Sequence, residues 1–297
     1  MADVIIPAYR ADWCLEECIH SIEAQTAMPE RVLIGIDACE DTAIESLMIQ
    51  EDSPLDIDLY WFPKHSGPFR IRNTLALISL AEIVTTFDAD DIMWPKHIET
   101  MAAIADETHF AMADAMMVRD DNEPMRWNRA HGVIAITRKN FIRMGGYEAW
   151  DCGGDTEGLY RWQKCGLLMV KPENPTMTVR KHDRGVTAHP ETGYKSQKRR
   201  DYKLEILRRM DTPIRLDRIA IAPCFPLNEA ALGMIGEPGY ADLPTSLPIP
   251  AGKCETSNRE LEAAATIRGL LRHYDRGYER EQRRAWKRAE QWLGGRA

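Results

Sequence analysis

The stretch VTTFDADDIMWP, residues 84–95, decides how this chain is read. An apolar, β-branched run ends abruptly on Asp88, Asp90 and Asp91. Carboxylates that close repel one another. They require partners of opposite charge, or free access to water. In a strand, residues two apart point to one side, which would turn Asp88 and Asp90 toward one ligand and Ala89 away from it. Two carboxylates at a strand end suit a hard divalent cation, Mg2+ or Mn2+, held jointly with phosphate oxygens. Asp91 is placed to cap the next helix, with Pro95 in its first turn.

The residues on the amino side of this stretch repeat one unit. DVIIPAYR (3–10) is a short apolar strand. DWCLEECIHSIEAQT (12–26) carries Trp13, Cys14, Cys18, Ile19 and Ile22 at helical spacing, with Asp12 as N-cap. RVLIGID (31–37) is a second strand, and a helix follows from about Thr42 to Gln50. DIDLYWF (56–62) alternates as a third strand. FRIRNTLALISLA (69–81) is helical, EIVTTFD (82–88) a fourth strand, and DDIMWPKHIETMAAIAD (90–106) a further helix. Strand–helix alternation of this length predicts an α/β fold: a mostly parallel sheet with helices on both faces. Such sheets bind ligands at the carboxyl ends of their strands. There the sequence collects Tyr9 and Arg10, Asp37, and Asp88 to Asp90.

Composition excludes several classes. The chain has 297 residues, 44% hydrophobic and 28% charged, which suits one large globular domain or two. No run approaches the roughly 18 apolar residues that a membrane span needs. MADVIIPAYR lacks the basic and apolar regions of a signal peptide, so the expected location is cytoplasmic, with a peripheral seat at a membrane as the variant. Seven cysteines, an odd number with no CxxC pair, make neither a disulfide framework nor a zinc site.

Seven segments in order resemble family 2 glycosyltransferases of GT-A (Rossmann-like) fold. They are VIIPAYRADWCLEECIHSIEAQT (4–26), IGIDACEDT (34–42), GPFRIRN (67–73), FDADDIMWP (87–95), GVIAITRKNFIRMGGY (132–147), GGDTEGLYRW (153–162) and VRKHDRGVT (179–187). Some positions depart from the family pattern. Ala38, Cys39 and Glu40 fill the middle of the second segment, Ile71 replaces an Ala, and Gly154 and Glu157 replace two acids around Asp155. The Q-x-x-R-W motif of processive synthases is absent, since Gln163 follows Arg161 and Trp162.

The resemblance implies transfer of a single sugar from a nucleotide diphosphate donor, expected to be UDP-linked, to an acceptor hydroxyl with inversion. It implies Mn2+ or Mg2+ on a DxD motif. Asp90 would ligate the metal, Asp88 would lie by the ribose or in the metal shell, and His182 would complete the metal or diphosphate site. Pro7, Tyr9, Arg10 and Asp37 would form the base and ribose pocket with Ala89. Arg72 and Asn73 would line the same pocket or brace the DxD strand. Asp155 would be the general base, with Glu157 as the second candidate.

The remainder of the chain is less regular. The catalytic domain is expected over 1–215, a Pro/Gly-rich arm over 216–256, and a helical extension over 257–297 with a long helix whose apolar part runs from Leu261 to Tyr274. That helix could pair two copies of the chain. Net charge is −8, yet residues 180–218 sum to +6 and 253–297 to +4. An anionic acceptor surface would suit such basic segments, and the candidate acceptors are glycans, lipid-linked phosphates and modified nucleic acid. Two other classes stay open. A sugar-nucleotide nucleotidyltransferase needs a Gly-rich basic loop after the first strand, where this chain has PAYRADW (7–13). A non-catalytic nucleotide-sugar or glycan-binding module would be expected to lose the DxD or the base, and both are present.

Overall fold

The computed structural model describes residues 1–119, 124–210, 214, 216, 218–228 and 246–248, with 124–129 and 246–248 as backbone alone. The elements run β1 (Ala2–Ala8), α1 (Leu15–Glu23), β2 (Val32–Asp37), α2 (Glu40–Asp52), β3 (Ile57–Phe62), α3 (Pro68–Ile78) and β4 (Ile83–Thr86). Then come β5 (Ile92–Met93), α4 (His97–Ile104), β6 (His109–Arg119), β7 (Pro124–Thr137), α5 (Arg138–Arg143), α6 (Gly154–Lys164), β8 (Leu168–Val170) and β9 (Met177–Lys181). The described elements end with α7 (Gln197–Met210), β10 (Arg218–Ala220), β11 (Phe225–Pro226) and β12 (Ser246–Pro248). The expected helix over 257–297 lies outside the described residues, and with it the expected pairing of two copies.

The main sheet has the order β11-β3-β2-β1-β4-β7-β6-β9-β5, with β8 on β6. Strands β3, β2, β1 and β4 are parallel. Strand β7 is antiparallel to both β4 and β6, while β9 and β8 run parallel to β6. Strand β1 is covered on both faces. Val4 and Ile6 enter one core with Leu15, Cys18 and Ile19 of α1 and Met101 of α4. Ile5 enters the other with Leu33, Phe69, Leu75, Phe141 and Trp162. Burial on both sides explains why the first strand reads as an unbroken apolar run rather than an alternation. Each such aliphatic side chain contributes about 1.5–3 kcal/mol. Because β2 and β4 flank β1, the chain reverses its direction of travel across the sheet there. A crevice opens at that point above the carboxyl ends of the strands.

The turn after β4 departs from expectation. The helix drawn from 90 onward begins only at His97, with Lys96 as its N-cap and no side-chain cap. Ahead of it, Ile92 and Met93 form β5 and pair antiparallel with Thr178 and Met177 of β9. Helix α1 is likewise capped at Cys14, not Asp12, and without a side-chain bond. Segment 218–228, expected as part of an arm, packs on the catalytic body. Leu227 N–H donates to Leu59 O, and Ala222 N–H donates to Thr74 Oγ1.

Two expected site residues are braces of this fold. Asn73 is fully buried. Its Nδ2 donates to Tyr147 O at 2.8 Å and Ala220 O at 2.7 Å, and its Oδ1 accepts from Tyr147 N–H at 2.8 Å. A Cβ at Gly146, where φ is +57°, would stand 2.3 Å from Asn73 Oδ1, so the Gly145–Gly146 turn is matched to Asn73. Asn73 therefore does not line the pocket. Glu157 is also buried and grips Arg161 with both oxygens, at 2.8 and 2.9 Å. Arg161 in turn donates to Met144 O and Gly146 O. A carboxylate so engaged is not free to take a proton from an acceptor, which corrects its place as a candidate base. Removing one partner of a buried ion pair strands the other. Glu157→Ala should cost about 3–5 kcal/mol of unfolding free energy. The urea midpoint measures this, and an unchanged midpoint would refute the bracing role.

His97 holds the start of α4 against the entry to β9. Its Nδ1 lies 2.9 Å from Thr176 Oγ1 and 3.2 Å from Thr176 O, and it is fully buried. Burial pushes its pKa down to about 4. The fold thus holds His97 neutral, while an unfolded chain protonates it near the ordinary value of about 6.5. Below that value the unfolded state binds the extra proton, so stability is complete above about pH 6.5 and falls between there and about pH 4. The loss over this window should be roughly 3 kcal/mol. His97→Gln should flatten that part of the profile in urea melts at a series of pH values. A wild-type-like slope would show that another group carries it.

Candidate active site at the carboxyl edge of the sheet

The acidic stretch is a turn, not the end of a strand. Strand β4 stops at Thr86, and Asp91 N–H donates to Asp88 O at 3.2 Å. Strand alternation therefore does not orient these side chains. Each carboxylate has a separate partner brought from a distant part of the chain. Arg72 of α3, only 3% exposed, donates through Nη2 to Asp88 Oδ1. Its guanidinium carbon lies beside the Phe69–Tyr147 ring pair, 5.9 and 5.8 Å from the two ring centres. Arg72 thus braces Asp88, one of the two roles expected for it. Asp90 Oδ2 lies 2.8 Å from His182 Nε2, and Asp90 O accepts from Arg180 Nε at 2.5 Å. Asp91 is buried, and its Oδ1 accepts from Arg180 N–H at 3.1 Å. Burial, with Asp90 and Asp88 beside it, holds the Asp91 carboxyl well above the usual range. Asp91 therefore ties the turn to β9 and does not cap α4, which corrects the expectation. Ala89 is buried between the two outer acids.

At the ends of β1 and β2 the backbone takes left-handed conformations at two non-glycine residues, Arg10 (φ 51°) and Ala38 (φ 52°). Such positions are uncommon and cluster at functional sites. Pro7 pairs with Gly35 of β2, beyond the last β1–β4 pair at Ile5 and Thr86, so its missing N–H breaks no ladder bond to β4. Tyr9 and Arg10 are exposed, with the Arg10 guanidinium 5.2 Å from the Tyr9 ring centre. Asp37, by contrast, is 2% exposed. Its Oδ1 accepts from Ser66 N–H at 2.7 Å. Its Oδ2 accepts from Gly67 N–H at 3.0 Å and faces His65 Nδ1 at 2.9 Å. Burial raises its pKa, and these donors oppose the rise.

Asp155 stands in the first turn of α6 behind Gly153, whose φ is +75°. Its Oδ1 accepts from Thr156 N–H at 2.8 Å, so it serves its own helix as well. It is half-buried, and its charge bears on Asp88 and Arg72. The departure at Gly154 has a steric cause: a Cβ there would lie 2.9 Å from both Glu148 O and the Phe69 ring. Two further residues belong to this edge. His65 sits on the loop after β3 and could have been marked by the carboxyl-edge rule alone. Trp13, expected on the apolar face of α1, precedes that helix and is 38% exposed. Arg180 and Arg184 lie over its ring at 5.6 and 4.9 Å, and His182 meets it edge-on at 4.9 Å.

The expected metal set of Asp88, Asp90 and His182 is not assembled as a cage. Among the described residues no three His, Cys, Asp or Glu side chains converge on a point. Asp90 and His182 do meet, while Asp88 is engaged by Arg72. Among the described residues no helix is long and apolar enough to cross a membrane.

Known proteins place this geometry. The family model described as Glycosyl transferase family 2 matches residues 3–162, more than half of the chain, ending short of His182. The uncharacterized glycosyltransferase YwdF of Bacillus subtilis (strain 168) is 30% identical over 135 residues, which are 45% of this chain and 49% of YwdF. The chain thus aligns with about half the length of that curated relative. Among solved structures, the mannosyltransferase PcManGT from Pyrobaculum calidifontis, in complex with GDP-Man and Mn2+, is similar with a TM-score of 0.56 and 19% identity. That likeness covers 75% of this chain and 65% of PcManGT. S. aureus TarS 1-349 in complex with UDP-GlcNAc has a TM-score of 0.56 at 14% identity, covering 72% and 68% of the two chains. At such identities the likeness is one of fold, the GT-A fold. With the motif order, the sheet and the family match in agreement, the chain belongs to glycosyl transferase family 2.

Proposed function

We propose that the chain moves one sugar from a nucleotide diphosphate donor, UDP-linked in the first instance, to an acceptor hydroxyl with inversion. The observation that carries this reading is the Arg72–Asp88 and Asp90–His182 pairing at the crevice beside β1 and β4. The 2.8 Å between Asp90 Oδ2 and His182 Nε2 is the spacing of two neighbouring ligands on one small cation. Asp90 and His182 would hold Mg2+ or Mn2+, with Asp88 beside them and phosphate oxygens completing the shell. When bound, the cation offsets the charge that gathers on the leaving diphosphate.

The residues of the chain supply the remaining steps. Arg72, buried beside the Phe69 and Tyr147 rings, keeps Asp88 in one orientation toward the donor. Thr156 N–H occupies Asp155 Oδ1 and leaves Oδ2 for the acceptor. The acceptor oxygen attacks the anomeric carbon, the bond from that carbon to the diphosphate oxygen breaks, and Asp155 takes the acceptor proton. A single displacement of this kind inverts the anomeric centre, and it needs one base on the face opposite the leaving group. Helix α7 supports an anionic acceptor. It is basic, with Arg200 and Arg208 exposed, and it docks beside the Asp155 loop through the stacked rings of Trp150 and Tyr202, 4.6 Å apart.

A thermal-shift panel of nucleotide sugars with and without Mn2+ tests the donor. Asp90→Ala should abolish both the metal-dependent shift and the metal-dependent hydrolysis of the donor. Binding that is indifferent to metal in the wild type would count against the cation. Asp155→Asn should keep the donor Kd and slow transfer by about 10²–10⁴-fold. Transfer at the wild-type rate would remove Asp155 as the base.

A further inference from the structure

We propose that His65, positioned by Asp37, reads the nucleobase of the donor and selects bases whose ring presents an N–H over bases whose ring presents a bare nitrogen. The inference rests on the nucleotide-sugar reading above and deepens it.

A buried carboxylate at the end of β2 would be the obvious reader of a base. Asp37 is poorly placed for that task. Ser66 N–H, Gly67 N–H and His65 Nδ1 surround its two oxygens at 2.7 to 3.0 Å, and its side chain is 2% exposed. What reaches the crevice is His65, whose side chain is 62% exposed. The Tyr9 ring stands against it at 4.5 Å with a tilt of 44°, and Tyr9 is itself exposed. The two rings form an exposed aromatic pair at the carboxyl ends of β1 and β3, against which a planar base can lie.

Asp37 also settles which nitrogen does the reading. A carboxylate 2.9 Å from Nδ1 makes that nitrogen the protonated one. In neutral His65, Nε2 is then a hydrogen-bond acceptor. Uracil and guanine each present a ring N–H to such an acceptor. Cytosine and adenine present a ring lone pair there, and two acceptors repel. A site built to receive an N–H rejects a base that lacks one, because its own polar group is left unpaired.

Calorimetric titration at about pH 8 tests this with UDP, GDP, CDP and ADP, each with Mn2+. The wild type should bind UDP or GDP about ten-fold more tightly than CDP and ADP. His65→Phe keeps a ring against Tyr9 and should bring that ratio close to one. Asp37→Asn should lower the ratio too, a readout that a merely weakened fold would not move. Circular dichroism and urea midpoints check that each variant folds. If the wild type discriminates and His65→Phe discriminates equally, the inference is overturned while the donor reading stands. A wild type that prefers CDP or ADP, or that binds all four alike, has the same consequence. A wild type that binds none of the four overturns the donor reading and the inference together.

Discussion

Three carboxylates on one turn cannot all stay charged without help, and the chain meets this constraint from three directions. Arg72 arrives from α3 beneath the sheet edge and holds Asp88. His182 and Arg180 arrive from the end of β9 and hold Asp90 and Asp91. The two-residue strand β5 exists in this setting. By pairing with Thr178 and Met177, it fixes β9 beside the acidic turn and so brings the Arg180 N–H and the His182 ring to it. His97 secures the same junction from below through Thr176. Much of the fold between residues 72 and 182 can be understood as the means of bringing compensating charge to residues 88–91.

The three partners differ in what they allow. Asp91 is sealed and bonded to backbone, so its role is architectural. Asp88 is fixed through one oxygen by a buried guanidinium packed beside two rings. The Asp90 carboxylate meets the imidazole of His182 instead, at 2.8 Å. A single sequence motif is thereby divided into one acid bonded to backbone and two acids paired with side chains. The same separation of tasks appears at Asp155 and Glu157, two residues apart on α6. One is half-buried and accepts from Thr156 N–H, and the other is buried against Arg161, which holds the Gly145–Gly146 turn.

Much of this was legible in the residues. The strand–helix alternation up to residue 105 foretells the parallel core and the two covering layers, because apolar periodicity reports directly on which faces are buried. The carboxyl-edge rule then draws Tyr9, Arg10, Asp37 and the acidic turn to one place. The antiparallel half was not legible in this way. Strand β6 is buried along most of its length and shows no clean alternation, and β5 is too short to carry any pattern. The roles of Asn73 and Glu157 were also hidden. A polar residue in a motif looks the same in sequence whether its side chain meets a ligand or the backbone of its own fold.

The sequence by itself determined the family, the strand–helix alternation of a mostly parallel sheet and the edge at which its polar strand ends gather. Each of these follows from periodicity or from residue order along the chain. Only the tertiary structure decided what each acid meets, because that depends on partners brought from more than ninety residues away in the case of His182. It also decided that Asp37 is enclosed and His65 exposed. The loop after β3 folds back so that its backbone N–H groups meet the carboxylate. Such closure is a property of loop geometry and distant packing, and no local pattern of residue types encodes it.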